Sequence, residues 1–82
     1  MHYIASTAHI MKEAEDQFHF VVDDRFRKID ELVDDVKLLG MLKRESLTDS
    51  NGEPVSAEEI VDRADSLNVG QEITVTLVQR AG

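Results

Sequence analysis

Three histidines, at positions 2, 9 and 19, are the side chains here best suited to hold a metal ion. Histidine zinc sites place ligands one helical turn apart or across a short loop. No pair of these three has that spacing, and His19 alternates with Phe18 and Phe20, which puts it on the less buried face of a strand. Residues 47–58 partly match a calcium loop. With Gly52 as the loop glycine, Asp49 and Asn51 fall at the third and fifth ligand positions and Glu58 at the bidentate one. Leu47 stands where the first aspartate is needed, and Pro54 occupies a position whose backbone should pair with a partner loop. A tight turn leading into a capped helix accounts for these residues without calcium, so no metal and no cofactor are expected.

Other catalytic constellations are missing from the sequence. Carboxylates pair at Asp23-Asp24 and Asp34-Asp35. Acid–base chemistry needs such groups in a cleft that drives their pKa values apart, whereas these fall on helix surfaces expected to face water. Ser6, Ser46, Ser50, Ser56 and Ser66 have no nucleophile-elbow context. The glycines stand apart at 40, 52, 70 and 82, so there is no phosphate-binding loop. With no cysteine, disulfides, thiolate metal sites and cysteine nucleophiles drop out. The expectation is a protein that is not an enzyme.

Charge is the remaining signal. The 82 residues carry 17 acids against 9 bases, a net charge of −8. Residues 13–35 hold nine of the acids and residues 45–65 another seven, while 36–44 are basic through Lys37, Lys43 and Arg44. Such a surface repels nucleic acid and anionic lipid and attracts basic proteins, above all those that bind nucleic acid themselves. Acidity for solubility alone is the competing explanation. No basic patch accompanies the four aromatics, which argues against direct nucleic-acid binding. No apolar run approaches the roughly 20 residues of a membrane span, and no basic-then-apolar leader opens the chain, so the expected location is cytoplasmic.

These residues need elements to position them, and one domain over 1–82 is expected. The spacing of Phe26, Ile29, Leu32, Val33, Val36 and Leu39 predicts a helix over Asp24–Leu39, capped by Asp23 or Asp24 and stopped by Gly40. Val36 and Ile29 centre its buried stripe, and Leu38 falls outside it. Asp30, Glu31, Asp34 and Asp35 then line the opposite, solvent-facing side. A second helix runs over Ala57–Leu67. It has a capping box from Ser56 to Glu59, an apolar face of Ala57, Ile60, Val61, Ala64 and Leu67, and an outer face that includes Glu58, Asp62 and Asp65. Ile73–Gln79 and Phe18–Val22 read as strands, as does Met41–Thr48, with a turn at Asp49–Gly52 and a brief return at Glu53–Val55. Residues 2–16 admit three readings: a strand over Tyr3–Ile10 paired with 18–22, a helix capped by Thr7 and running through Met11, Ala14 and Gln17, or part of one long helix over 8–39.

The expected fold is an α+β two-layer sandwich, with two helices on one face of a three- to four-stranded, mostly antiparallel sheet. Setting the N-terminal segment aside, the element order is that of a ferredoxin-like βαββαβ unit. Four of the 17 acids, Asp23, Asp24, Glu58 and Glu59, suit helix N-termini, leaving 13 in surplus. The favoured function is a small acidic module that occupies a basic, nucleic-acid-binding surface of a partner as an inhibitor or adaptor, its carboxylates standing in for phosphates. Asp30, Glu31, Asp34, Asp35, Glu58, Asp62 and Asp65 are its candidate contact residues. In size and charge the chain is similar in general character to small phage-encoded inhibitors of host defence, anti-CRISPR proteins among them. The alternative is a structural homodimer joined through Ile73–Gln79 as an exposed sheet edge.

Overall fold

The computed structural model describes residues 2–23, 25 and 28–81, with side chains for 4–23, 25 and 28–78. Among these residues the chain forms β1 (His2–Ala14), β2 (Gln17–Asp23), β3 (Lys28–Val33), α1 (Asp35–Leu42), β4 (Ser46–Thr48), β5 (Pro54–Val55), α2 (Ala57–Asp65) and β6 (Glu72–Ala81). The strands make one antiparallel sheet in the order β3-β2-β1-β6-β4-β5. The α+β class holds, with six strands rather than three or four.

Strand alternation builds the core. Ala8 and Ile10 of β1, Phe18, Phe20 and Val22 of β2, and Val75 and Leu77 of β6 are buried on one face of the sheet. Leu38 and Leu42 of α1 and Ile60 and Ala64 of α2 close over that face. His9, His19, Val21 and Thr76 lie on the other face and keep partial contact with water. This half-wet face is the ordinary condition of an antiparallel sheet covered on one side.

Residues 2–16 take the strand reading. β1 pairs with β2 around the turn at Glu15-Asp16 and with β6 along ten register positions, Met11↔Glu72 to His2↔Ala81. The helix capped by Thr7 and the long helix over 8–39 are therefore incorrect. The ferredoxin-like order fails as well, because β1 lies between β2 and β6 and β5 sits at an edge.

The helix expected over Asp24–Leu39 is replaced by a strand, a cap and a shorter helix. Phe26 and Asp24, its first members, lie outside the described residues. Lys28–Val33 pairs with β2, so Ile29, Glu31 and Val33 point to the helix-covered side and Lys28, Asp30 and Leu32 to the other. Asp34 is extended at φ −93° and ψ 179°, and its carboxylate accepts a 2.9 Å hydrogen bond from the Lys37 N–H, which starts α1 there. The phase of the helix changes accordingly. Leu38 and Leu42 are fully buried, whereas Val36 is 81% exposed and Leu32 57%. Gly40 lies inside α1 rather than ending it, and Met41 and Leu42 are helical rather than the start of a strand.

The second half of the chain follows expectation more closely. Ser56 Oγ accepts from the Glu59 N–H at 3.1 Å, and α2 buries Ala57, Ile60, Val61 and Ala64. Gly52 and Gly70 adopt φ of +79° and +91°, which glycine permits at low cost. The Gly52 N–H donates to the Asp49 carbonyl at 3.0 Å, closing the turn between β4 and β5. β6 is internal at Thr76–Val78, where it meets β1 on one side and β4 on the other, so Ile73–Gln79 is not an exposed edge along its whole length as expected.

Candidate partner-binding surface

α1 and α2 run antiparallel across the sheet. Glu58, in the first turn of α2, lies 3.7 Å from Lys43 at the end of α1. Asp65, in the last turn of α2, meets Asp35 in the first turn of α1. Asp62 lies between Glu58 and Asp65 on the same stripe of α2, since steps of four and three residues nearly close a turn. The two acidic blocks of the sequence therefore meet in space. One supplies Asp34 and Asp35 and the other Glu58, Asp62 and Asp65.

The tight end of this band involves a residue that the sequence reading did not select. Asp16, in the turn between β1 and β2, adds its charge to that of Asp34 and Asp65 around Asp35. Asp35 Oδ1 is shut from solvent without a hydrogen-bond donor. Burial first, then hydrogen bonding with the Asp65 carboxyl, then the charges of Asp65, Asp16 and Asp34 push the Asp35 pKa up to about 6. Lys12 Nζ donates to the Asp65 backbone carbonyl at 2.8 Å rather than to a carboxylate of this group. The signal for Asp16 was present in the sequence: two acids at the tip of a hairpin, visible once residues 2–16 are read as a strand.

Asp30 and Glu31 do not join this band. As neighbours on a strand they point to opposite faces. Asp30 contacts His19 Nε2 on the open face of the sheet, where Glu13 also lies 3.9 Å from the same ring. Glu31 pairs with Lys37 Nζ at 3.1 Å on the helix side. Asp34 is committed through its side chain to the α1 cap. Of the seven expected contact residues, Asp34, Asp35 and Asp65 come together, Asp62 and Glu58 continue the row along α2 to its Lys43 end, and Asp30 and Glu31 are elsewhere.

The expected solvent-facing role of Asp35 needs correction, because its carboxyl is half-buried between the helices. Among the described residues no group of three or more His, Asp or Glu is arranged to hold a metal ion. No described helix is long and apolar enough to cross a membrane. Comparison with family models, characterised proteins and solved structures finds no match to this chain.

Proposed function

We propose that this protein is a small, non-enzymatic binding module whose acidic helical band docks on a basic, nucleic-acid-binding surface of a partner protein and so inhibits or adapts it. The observation that supports the reading is the convergence of Asp16, Asp34, Asp35 and Asp65 from the β1–β2 turn and the two helices, with Asp62 next along α2. Burial, the hydrogen bond with Asp65 and the charges of Asp65, Asp16 and Asp34 together hold the Asp35 carboxyl protonated up to about pH 6. A fold under no demand for negative charge at this spot would relieve it with a lysine or an amide. A cationic partner surface relieves it equally well and steers the encounter.

The test is affinity capture with the full chain as bait, compared with an Asp62→Lys variant and challenged with added duplex DNA and with salt. Recovery of a nucleic-acid-binding protein that is displaced by DNA and lost from the variant supports the reading. Recovery of the same proteins by both baits, or of this chain alone, refutes it.

A further inference from the structure

β6 is ten residues long, but β4 covers only Thr76–Val78 of its second edge. The chain leaves β4 at Thr48 for the turn, and Glu72–Val75 run on past the end of β4. The phase of the ladder determines what they present there. The Lys12 N–H donates to the Gln71 carbonyl at 2.9 Å, and the Lys12 carbonyl accepts from the Gly70 N–H at 2.8 Å, so both main-chain groups of Lys12 face β6. The register between β1 and β6 is unbroken, so Ile73, Val75 and Leu77 turn their N–H and C=O groups toward β1. Glu72, Thr74 and Thr76 turn theirs the other way. Thr76 meets Thr48 of β4, whereas Glu72 and Thr74 meet no strand among the described residues.

The side chains of these two residues do not cover the gap. Thr74 Oγ1 lies 3.4 Å from His9 Nδ1, and the Glu72 carboxylate 3.7 Å from the same nitrogen, both on the open face of the sheet. What Glu72 and Thr74 offer at the edge is therefore main chain. That edge opens into a cleft of about 290 Å3, walled by Asp49 and Ser50 of the turn and by Ile60 and Arg63 of α2, with Ile73 on its apolar side.

We propose that this cleft receives an extended segment of a partner protein as an added strand, hydrogen-bonded to the main chain of Glu72 and Thr74 in line with β4. A free row of alternating donors and acceptors is matched most fully by another polypeptide backbone. Ile73, partly exposed above the buried Ile60, supplies an apolar seat for one alternate side chain. The rim favours a basic segment: Asp49 is acidic, and the Arg63 guanidinium already lies 3.4 Å from Glu59. A second copy of this chain is a poorer occupant, because its own edge strand β3 carries two acids, Asp30 and Glu31, against one base, Lys28. The charge of the segment rests on the function proposed above; the strand addition does not.

The experiment uses the full chain labelled with nitrogen-15, amide hydrogen exchange, and the probe peptide acetyl-Lys-Val-Lys-Val-Lys-amide. In the free protein the Thr74 amide should exchange at least about tenfold faster than that of Val75. The peptide should shift the Glu72 and Thr74 amides and slow exchange at Thr74, while a copy N-methylated on its pairing amides does neither. Thr74→Pro removes only an outward N–H, which an edge position tolerates, and should abolish the response. If that variant does not fold, the N-methylated peptide carries the same comparison. Equal response to acetyl-Thr-Val-Thr-Val-Thr-amide supports strand addition and counts against the basic-partner reading alone. Protection of Thr74 equal to that of Val75 in the free chain overturns the proposal. So does an equal response to the N-methylated peptide, no response at millimolar peptide, or Thr74 protection that rises with protein concentration.

Discussion

The carboxyl of Asp35, in the first turn of α1, faces the carboxyl of Asp65, in the last turn of α2. Asp35 stands where the positive end of the α1 dipole favours an anion, yet its pKa is pushed up to about 6 rather than down. Loss of water around the carboxyl and the like charges of Asp65, Asp16 and Asp34 outweigh the helix terminus. The two acidic blocks, distant in sequence, thus share one titrating contact between the helices.

That contact gives stability a pH dependence of definite sign. The folded state holds the Asp35 proton up to about pH 6, against the ordinary 3.8 of the unfolded chain. The contribution is full below pH 3.8 and is lost as the pH rises toward 6. The difference between those values has a ceiling of about 3 kcal/mol. Solvent reaching this half-buried carboxyl brings the expectation nearer to about 1 kcal/mol. Asp35→Asn keeps the shape of the neutral form, so it should raise the thermal midpoint at pH 7 and leave it little changed at pH 4. A variant whose midpoint tracks the wild type from pH 4 to 7 would show that Asp35 titrates as an ordinary carboxylate.

Gly40 lies inside α1 with nothing within 4 Å of where a Cβ would sit. Glycine in a helix interior costs backbone entropy. Gly40→Ala should therefore stabilise the fold by about 0.5–1 kcal/mol. Urea unfolding of the two proteins measures it, and a lower midpoint for the alanine variant would place residue 40 outside the helix.

Leu38 and Val36 separate the observed phase of α1 from the one its sequence suggests. Leu38→Ala removes a fully buried side chain and should cost about 2–5 kcal/mol. Val36→Ala removes one that is 81% exposed and should shift stability by no more than about 0.5 kcal/mol. A larger loss for Val36→Ala than for Leu38→Ala would restore the helix over 24–39 and its buried Val36.

The sequence spacing pointed to the wrong element here for a physical reason. Ile29 and Val33 are four residues apart, which suits one face of a helix and also, at period two, one face of a strand. Pairing with β2 decides for the strand, and no local pattern in residues 28–33 reports a partner strand that lies outside them, at Phe18–Asp23. Asp34 then caps a new helix in the middle of what reads as a single one. α2 was legible because Ser56 and Glu59 mark its start by local chemistry, although it ends at Asp65 rather than Leu67 and Gly70 belongs to the turn that leads into β6. β1 was not, because Met-Lys-Glu-Ala-Glu at 11–15 has helical propensity that the ladders to β2 and β6 override. The same misreading separated the acidic residues wrongly. Grouping Asp30 and Glu31 with Asp34 and Asp35 requires the helix, whereas the contact of Asp35 with Asp65 requires knowing how α1 and α2 pack.

Charge reversal can now be aimed at one face of the molecule. Asp62 is exposed in the acidic band on α2, and Asp30 is exposed on the open face of the sheet. Asp62→Lys and Asp30→Lys each change the net charge from −8 to −6, so their effect on the long-range field is equal. Asp62 offers its backbone carbonyl, not its carboxylate, to Ser66 Oγ, and Asp30 contacts His19 at the surface. Both variants should stay folded within about 0.5–1 kcal/mol of the parent. If a basic partner docks on the helices, Asp62→Lys should lower the association rate and flatten its dependence on salt, while Asp30→Lys keeps most of both. Stopped-flow association with the captured partner at low and high salt makes the comparison. Equal slowing by the two reversals would mean that only net charge matters and that the convergence of acids on α1 and α2 has no part in recognition. Loss confined to Asp30→Lys would move the interface to the open face of the sheet and leave the acidic band to solubility.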